Sequence, residues 1–304
     1  MRWILTIAFL LPPLVTFGGK KSPWKVFSDQ NARAVFKKML TQPPGGKKVT
    51  LDRIETVQID RAHIKSTEGF ENLTALKTLS LSYNFIRDVS PIMSLPNLKQ
   101  LDLSYNDINS GRAFMNSNTL ELLDVSHNHI KYTFTCAFQN LRNLNLSKNY
   151  IEQLQTREQC NHLLEAIDIS DNPLTSLLPK LTFPSLKVFL ANKTFLKDLS
   201  PLFVCKTLET LEVEHCSNLK SVEKLFPYNK VTETYTCVFP KLKKLSISET
   251  FLYEKSKEIL RNIYDGALEQ PITINGKFIQ PKRKAEPKKV ISFGKQRCNK
   301  AAAE

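Results

Sequence analysis

One phrase recurs along this chain and limits what the chain can become. In Leu98-Lys-Gln-Leu101-Asp-Leu103-Ser-Tyr-Asn106-Asp-Ile108 the apolar residues fall at L-x-x-L-x-L, followed by Asn and x-Ile. The first apolar positions of the copies are Ile54, Leu76, Leu98, Leu120, Leu141, Leu164, Leu186, Leu208 and Leu242, so the spacings are 22, 22, 22, 21, 23, 22, 22 and 34 residues. A period of this length over about nine copies marks stacked supersecondary units, not one long helix or strand. Within a copy, Leu101 and Leu103 alternate with Asp102 and Ser104, the period of a short strand. The same register in every copy predicts parallel stacking, with Leu98, Leu101 and Leu103 inward, each worth roughly 1.5–3 kcal/mol when fully buried. The expected fold class is α/β: a solenoid with a curved parallel sheet on its concave face. Short helices, 3-10 turns and loops return along the convex face. Asn84, Asn106, Asn128, Asn149 and Asn172 follow the strands. Their amides suit backbone groups that stacking would otherwise bury unpaired. Cys216 takes that place in the eighth copy.

The flanks divide the 304 residues into further parts. Residues 1–19 read as a signal peptide: Arg2, an apolar run from Trp3 to Phe17, then Gly18-Gly19. The run falls short of the ~20 residues a spanning helix needs, and it contains Pro12-Pro13, which favours removal over anchoring. No other run is long enough to span, so no transmembrane segment is expected in the mature chain. Residues 20–50 form an N-terminal cap. Ser28 is the predicted N-cap, and Ala32, Val35, Phe36, Met39 and Leu40 make one apolar helix face, stopped by Pro43-Pro44. Residues 51–252 carry the repeats, with an insertion at about 226–240 read as a loop leaving the frame. Residues 253–280 form a C-terminal cap, with Ile259, Leu260 and Ile263 on one helix face. The last 24 residues, 281–304, hold eight Lys/Arg against two Glu, so +6 of the formal +14 lies there. That tail has too little apolar surface to fold alone.

The order Phe27-Ser-Asp29, a capping helix, Val49-Thr-Leu-Asp52-Arg-Ile54 and Ile64-Lys-Ser-Thr-Glu-Gly69-Phe70-Glu-Asn-Leu73 resembles the cap and first repeat of the internalins. The repeats resemble the 22-residue class of leucine-rich repeats that internalins share with a leucine-rich regulator of protein phosphatase 1. The likeness spans about residues 25–250. It implies a curved solenoid that binds proteins, often on a partner's cell surface. Six cysteines and the lack of a wall-anchoring sequence depart from the internalins, so their receptors are not carried over.

Candidate binding residues lie on the concave face: Tyr83, Asp102, Tyr105, Asp124, His127, Lys148 and Asp168. Tyr83, Tyr105 and His127 fall in one register and are expected to stack at the strand spacing of about 4.8 Å. Tyrosine joins a large apolar body to a polar tip, which suits interface centres. Six cysteines fit an oxidising compartment. By frame, Cys136 pairs with Cys160 and Cys205 with Cys237, in adjacent return segments. Asn72, Asn145 and Asn192 head glycosylation sequons. Asn145 and Asn192 fall on the concave face, where a glycan would obstruct it.

The expected function is non-enzymatic: a secreted, extracellular module that binds a protein. Asp102 and Asp124 are neighbours, but no cleft, nucleophile–base pair or third metal ligand accompanies them. No cofactor, metal or nucleic acid is expected. Two alternatives stay open. Lys289-x-Ile291-x-Phe293 is similar to a phosphatase-docking motif, which fits an intracellular scaffold. The basic tail, through Lys282, Arg283, Lys284, Lys288 and Lys289, fits an acidic polysaccharide or anionic surface.

Overall fold

The structure is a computed structural model that describes residues 22–42, 49–134, 139–155, 163–177, 183–231, 233–248, 250, 252, 254–264 and 271–279. Each repeat contributes one three-residue strand. Thr56–Gln58, Thr78–Ser80, Gln100–Asp102, Leu122–Asp124, Asn143–Asn145, Ala166–Asp168, Val188–Leu190, Thr210–Glu212 and Lys244–Ser246 pair in parallel and in chain order. Leu79, Leu101 and Leu123 stand opposite one another, so the repeat period sets the register. A one-residue slip would turn every leucine outward. Leu98, Leu101, Leu103 and Ile108 are buried in a single column of core side chains.

The sheet runs one unit further than the repeats foretell. Ile272–Ile274, expected only to cap the end, pairs in parallel with Lys244–Ser246. Lys277–Ile279 then closes the sheet antiparallel, as the last of its 11 described strands. The convex return begins as 3-10 turns, such as Phe70–Asn72 and Ser90–Ser94. In the middle repeats it becomes a three-stranded sheet of Thr133–Phe134, Gln153–Gln155 and Ser176–Leu177. Helix α2 (Glu254–Tyr264) buries Ile259, Leu260 and Ile263.

At the near end, helix α1 (Gln30–Thr41) starts one residue later than the sequence suggests. Asp29, not Ser28, is its N-cap, accepting from the Asn31 and Ala32 N–H groups at 2.8 and 3.0 Å. A carboxylate there also complements the helix dipole. Its second oxygen accepts the Lys65 N–H at 2.9 Å, which ties the cap to the first repeat. Ser28 instead donates its hydroxyl to Ser66. Phe27, Phe36 and Phe70 form the joint: the first two stack at 3.9 Å, and Phe70 meets them edge-on at 5.2 and 5.6 Å.

The insertion leaves the frame only at its centre. Tyr228–Asn229 and Thr234–Tyr235 form an antiparallel ribbon, but Phe226, Cys237 and Phe239 are core residues. This corrects the expected Cys205–Cys237 bond. Both are buried free thiols, and burial pushes each up to about 11. The physical reason is register: Cys205 lies three residues before Leu208, and the residue three before Leu242 is Phe239, not Cys237. Residues 1–19, Cys136, Cys160 and residues 281–304, with Lys282, Arg283, Lys284, Lys288 and Lys289, lie outside the described residues. Among the described residues no helix is long and apolar enough to cross a membrane.

Candidate binding face

The asparagines after the strands connect each repeat to the one before it. Asn106 donates to the carbonyls of Leu81, Leu103 and Ser104, and its Oδ1 accepts the Ile86 N–H. Asn84, Asn128, Asn149 and Asn172 repeat the pattern. Thr194, whose hydroxyl bonds Ala191 O, continues the series into the seventh repeat, and Cys216 into the eighth.

This ladder fixes an unusual backbone beside it. Tyr83, Tyr105, His127, Lys148, Asp171, Lys193 and His215 each precede a ladder residue, Arg61 precedes Ala62, whose N–H the Asn84 Oδ1 accepts, and all eight have φ between 54° and 56°. Residues with a Cβ rarely take the left-handed region, and persist there only when their surroundings over-determine it. The left-handed residue ends the strand's in–out alternation and turns its side chain to the corner of the sheet. There the rings stack tightly. Tyr83 and Tyr105 lie 4.0 Å apart and Tyr105 and His127 3.7 Å, closer than the backbones. The Arg61 guanidinium covers the free Tyr83 face at 3.9 Å. The Tyr83 hydroxyl, then partial burial, raises the Tyr105 phenol. Burial, then the Lys148 ammonium, lowers His127, so its ring is neutral at pH 7. Arg61 therefore ends a four-member cation–aromatic stack of which the sequence reading chose three members.

The floor beside the stack is acidic. Asp102, Asp124, Asn145 and Asp168 stand in successive register. Each accepts the N–H of the serine two residues on, at 2.8 to 3.0 Å. Asn145 also donates to the second oxygen of Asp124. Burial raises Asp102 and Asp168, and the Asp124 carboxylate adds to both shifts. A carboxylate raised in the folded state holds its proton more tightly there than in the unfolded chain. Its cost is absent below the ordinary value of 3.8 and fully present once pH passes the folded value. Asn145 demonstrates that an amide preserves the serine N–H bond at this register. Asp102→Asn is therefore expected to melt above the wild type at pH 7, with the difference vanishing as pH falls below 3.8. Calorimetry across that range checks it, and a variant less stable at pH 7 would contradict it.

The two edges of the sheet differ. Before the strands, Glu55–Lys77, Lys99–Glu121, Arg142–Glu165–Lys187 and Glu209–Lys243 pair at 2.6 to 2.9 Å, leaving that edge nearly neutral. Exposed pairs of this kind contribute at most about 1 kcal/mol each. After the strands, Phe85, Tyr150 and Phe195 are large exposed side chains, each directly following a ladder residue. Sequence reasoning missed this row because strand alternation stops before it; its sign was the position after a ladder residue, Asn84, Asn149 or Thr194. His63 meets Phe85 at 5.7 Å, and His129 stacks on Tyr150 at 5.8 Å.

The sequons separate by environment. Asn72 is exposed on a convex turn. Asn145 Nδ2 is held by Asp124, and Asn192 Nδ2 by Glu212 with its Oδ1 on the Glu214 N–H. Among the described residues no group of three His, Cys, Asp or Glu is placed to hold a metal.

Comparison with known proteins agrees with the geometry. Models of leucine-rich repeats match residues 62–111, as two copies, and residues 116–133. The chain has the leucine-rich repeat fold. Two solved structures share the leucine-rich repeat architecture at low identity. Internalin C2 from Listeria monocytogenes str. 4b F2365 is 21% identical with a TM-score of 0.53, over 76% of this chain and 95% of that one. The leucine-rich repeat domain of APL1B is 18% identical with a TM-score of 0.53, over 72% of this chain and 67% of that one. No curated protein sequence matches the chain significantly.

Proposed function

We propose that the protein is a secreted, non-enzymatic recognition module that binds a protein partner across its concave face. The stack of Arg61, Tyr83, Tyr105 and His127 carries this reading. It is exposed, preformed and held by backbone that no side-chain rearrangement needs to set. Little ordering entropy therefore opposes binding. The adjoining Asp102, Asp124 and Asp168 select a partner that presents basic side chains. The +14 of the whole chain is no guide to this floor, whose local sign is the opposite.

The test is capture by the mature chain from extracts and intact cells, repeated with Tyr105→Ala and Asp124→Asn. We expect one protein whose retention falls at least tenfold in both variants, by quantitative mass spectrometry. Retention unchanged in both moves the site off the face. Secretion rests on residues 1–19 and is checked by sequencing the N-terminus of protein in the medium. Glycosylation gives a second check. Protein secreted from eukaryotic cells is expected to carry a glycan at Asn72 and none at Asn145 or Asn192, as read by glycopeptide mapping. A glycan on Asn145 of folded protein would mean that its bond to Asp124 is dispensable.

A further inference from the structure

The N-terminal cap and the first two repeats meet along a groove that the concave reading does not use. Two open hollows of about 410 and 470 Å3 adjoin across Lys65. The repeat period organises their wall. His63 and Phe85 hold the same position in successive repeats, and Lys65 and Arg87 hold the position two residues on. Strands about 4.8 Å apart thus set two rings beside two cations. The third repeat ends the array, with Asp107 in the ring position.

The array has unused capacity. Phe85 is 46% exposed, and only the tilted His63 ring stacks near it. Asp29 is fully engaged, by the Asn31, Ala32 and Lys65 N–H groups. Asp107, which lines the same hollow, pairs with Arg87 at 3.8 Å, a loose ion pair too long for a hydrogen bond. Among the described residues no carboxylate lies within ion-pair distance of the Lys65 ammonium.

We infer that this groove is a subsite for an aromatic side chain bearing an anionic group, presented by a partner protein. The anion sits between Lys65 and Arg87, and the ring lies on Phe85. A bare anion meets the charges without the ring, and a neutral ring leaves Lys65 unanswered and Arg87 with only its loose pair to Asp107. Affinity therefore requires both in one group. The side chains and the sign of charge differ from those of the concave floor, so the two readings stand or fall separately.

The probe is phenyl phosphate, titrated into the full chain by NMR beside inorganic phosphate and benzyl alcohol. Phenyl phosphate is expected to bind at least tenfold more tightly than either. The pair Lys65→Ala and Arg87→Ala lowers its affinity tenfold or more. Phe85→Ala and Phe85→Leu each bring it down to that of inorganic phosphate, and Tyr105→Ala leaves it unchanged. All these side chains are exposed, and a melting curve for each variant confirms the fold. Equal affinity for phenyl phosphate and inorganic phosphate overturns the subsite. So does indifference to Phe85→Leu, or to loss of the two cations.

Discussion

Replacing Asn128 by Ala is expected to destabilise the protein by about 3–5 kcal/mol, more than removal of any exposed side chain on the binding face. Asn128 is buried and makes four bonds. Its Nδ2 donates to the carbonyls of Leu103, Val125 and Ser126, and its Oδ1 accepts the Ile108 N–H. The losses are not equal. Leu103 O and Val125 O also accept from Asn106 and Asn149, and Ser126 O accepts the Tyr105 N–H. Those carbonyls keep one partner each. Ile108 N–H keeps none of this kind, and an orphaned buried donor costs about 1–3 kcal/mol by itself. Urea unfolding measures the sum. Exchange of the Ile108 amide measures the orphan, and its protection should fall before that of Leu79. Because repeats couple mainly to their neighbours, a cut in the middle of the ladder is also expected to broaden the transition. A loss under 1 kcal/mol with Ile108 still protected would make the ladder decorative.

The fold was legible in the chain for a reason specific to repeats. Once Leu98, Leu101 and Leu103 are assigned inward, the 22-residue period passes the same assignment to every other strand, and parallel register follows. What stayed hidden was whatever the period does not encode. The left-handed corner is occupied by Arg, Tyr, His, Lys and Asp, so no glycine betrays it. Its conformation accompanies the ladder bonds between repeats, made by Asn in five repeats and by Thr194 and Cys216 in two more, and those partners lie a repeat away in sequence. Phe85, Tyr150 and Phe195 were missed with it, since their direction depends on that corner. Ile272–Ile274 offered too few inward positions to be counted as a repeat. The pairing of Cys205 with Cys237 failed where an insertion changes the offset from the following strand.

The charge pattern carries a similar lesson. Composition gives one number for the chain, but the fold sorts its charges by register. Glu and Lys alternate along the edge before the strands and cancel. Aspartates gather on the floor, and burial there raises Asp102 and Asp168. Keeping them there costs stability that an amide at Asn145 avoids, which is the expected mark of residues retained for a ligand.

The second large effect concerns the joint between cap and solenoid, and a matched pair of substitutions isolates it. Gly69 and Gly276 both have positive φ, at 98° and 79°. A Cβ on Gly276 would meet nothing within 4 Å. Gly276→Ala therefore carries only backbone strain, about 1 kcal/mol. A Cβ on Gly69 would lie 2.5 Å from Phe27 Cα and 2.5 Å from Val26 O. Those are backbone atoms and cannot rotate aside. The segment must move, and it carries Phe27 out of its stack with Phe36 and its edge contact with Phe70, all three fully buried. Gly69→Ala is expected to cost about 3–5 kcal/mol, with early proteolysis of α1 ahead of the repeats. The same methyl is added at a positive φ in both variants, so the difference between them reports chiefly the steric contact at Gly69. Equal melting temperatures for the two would mean that the cap is not seated on the first repeat through Gly69.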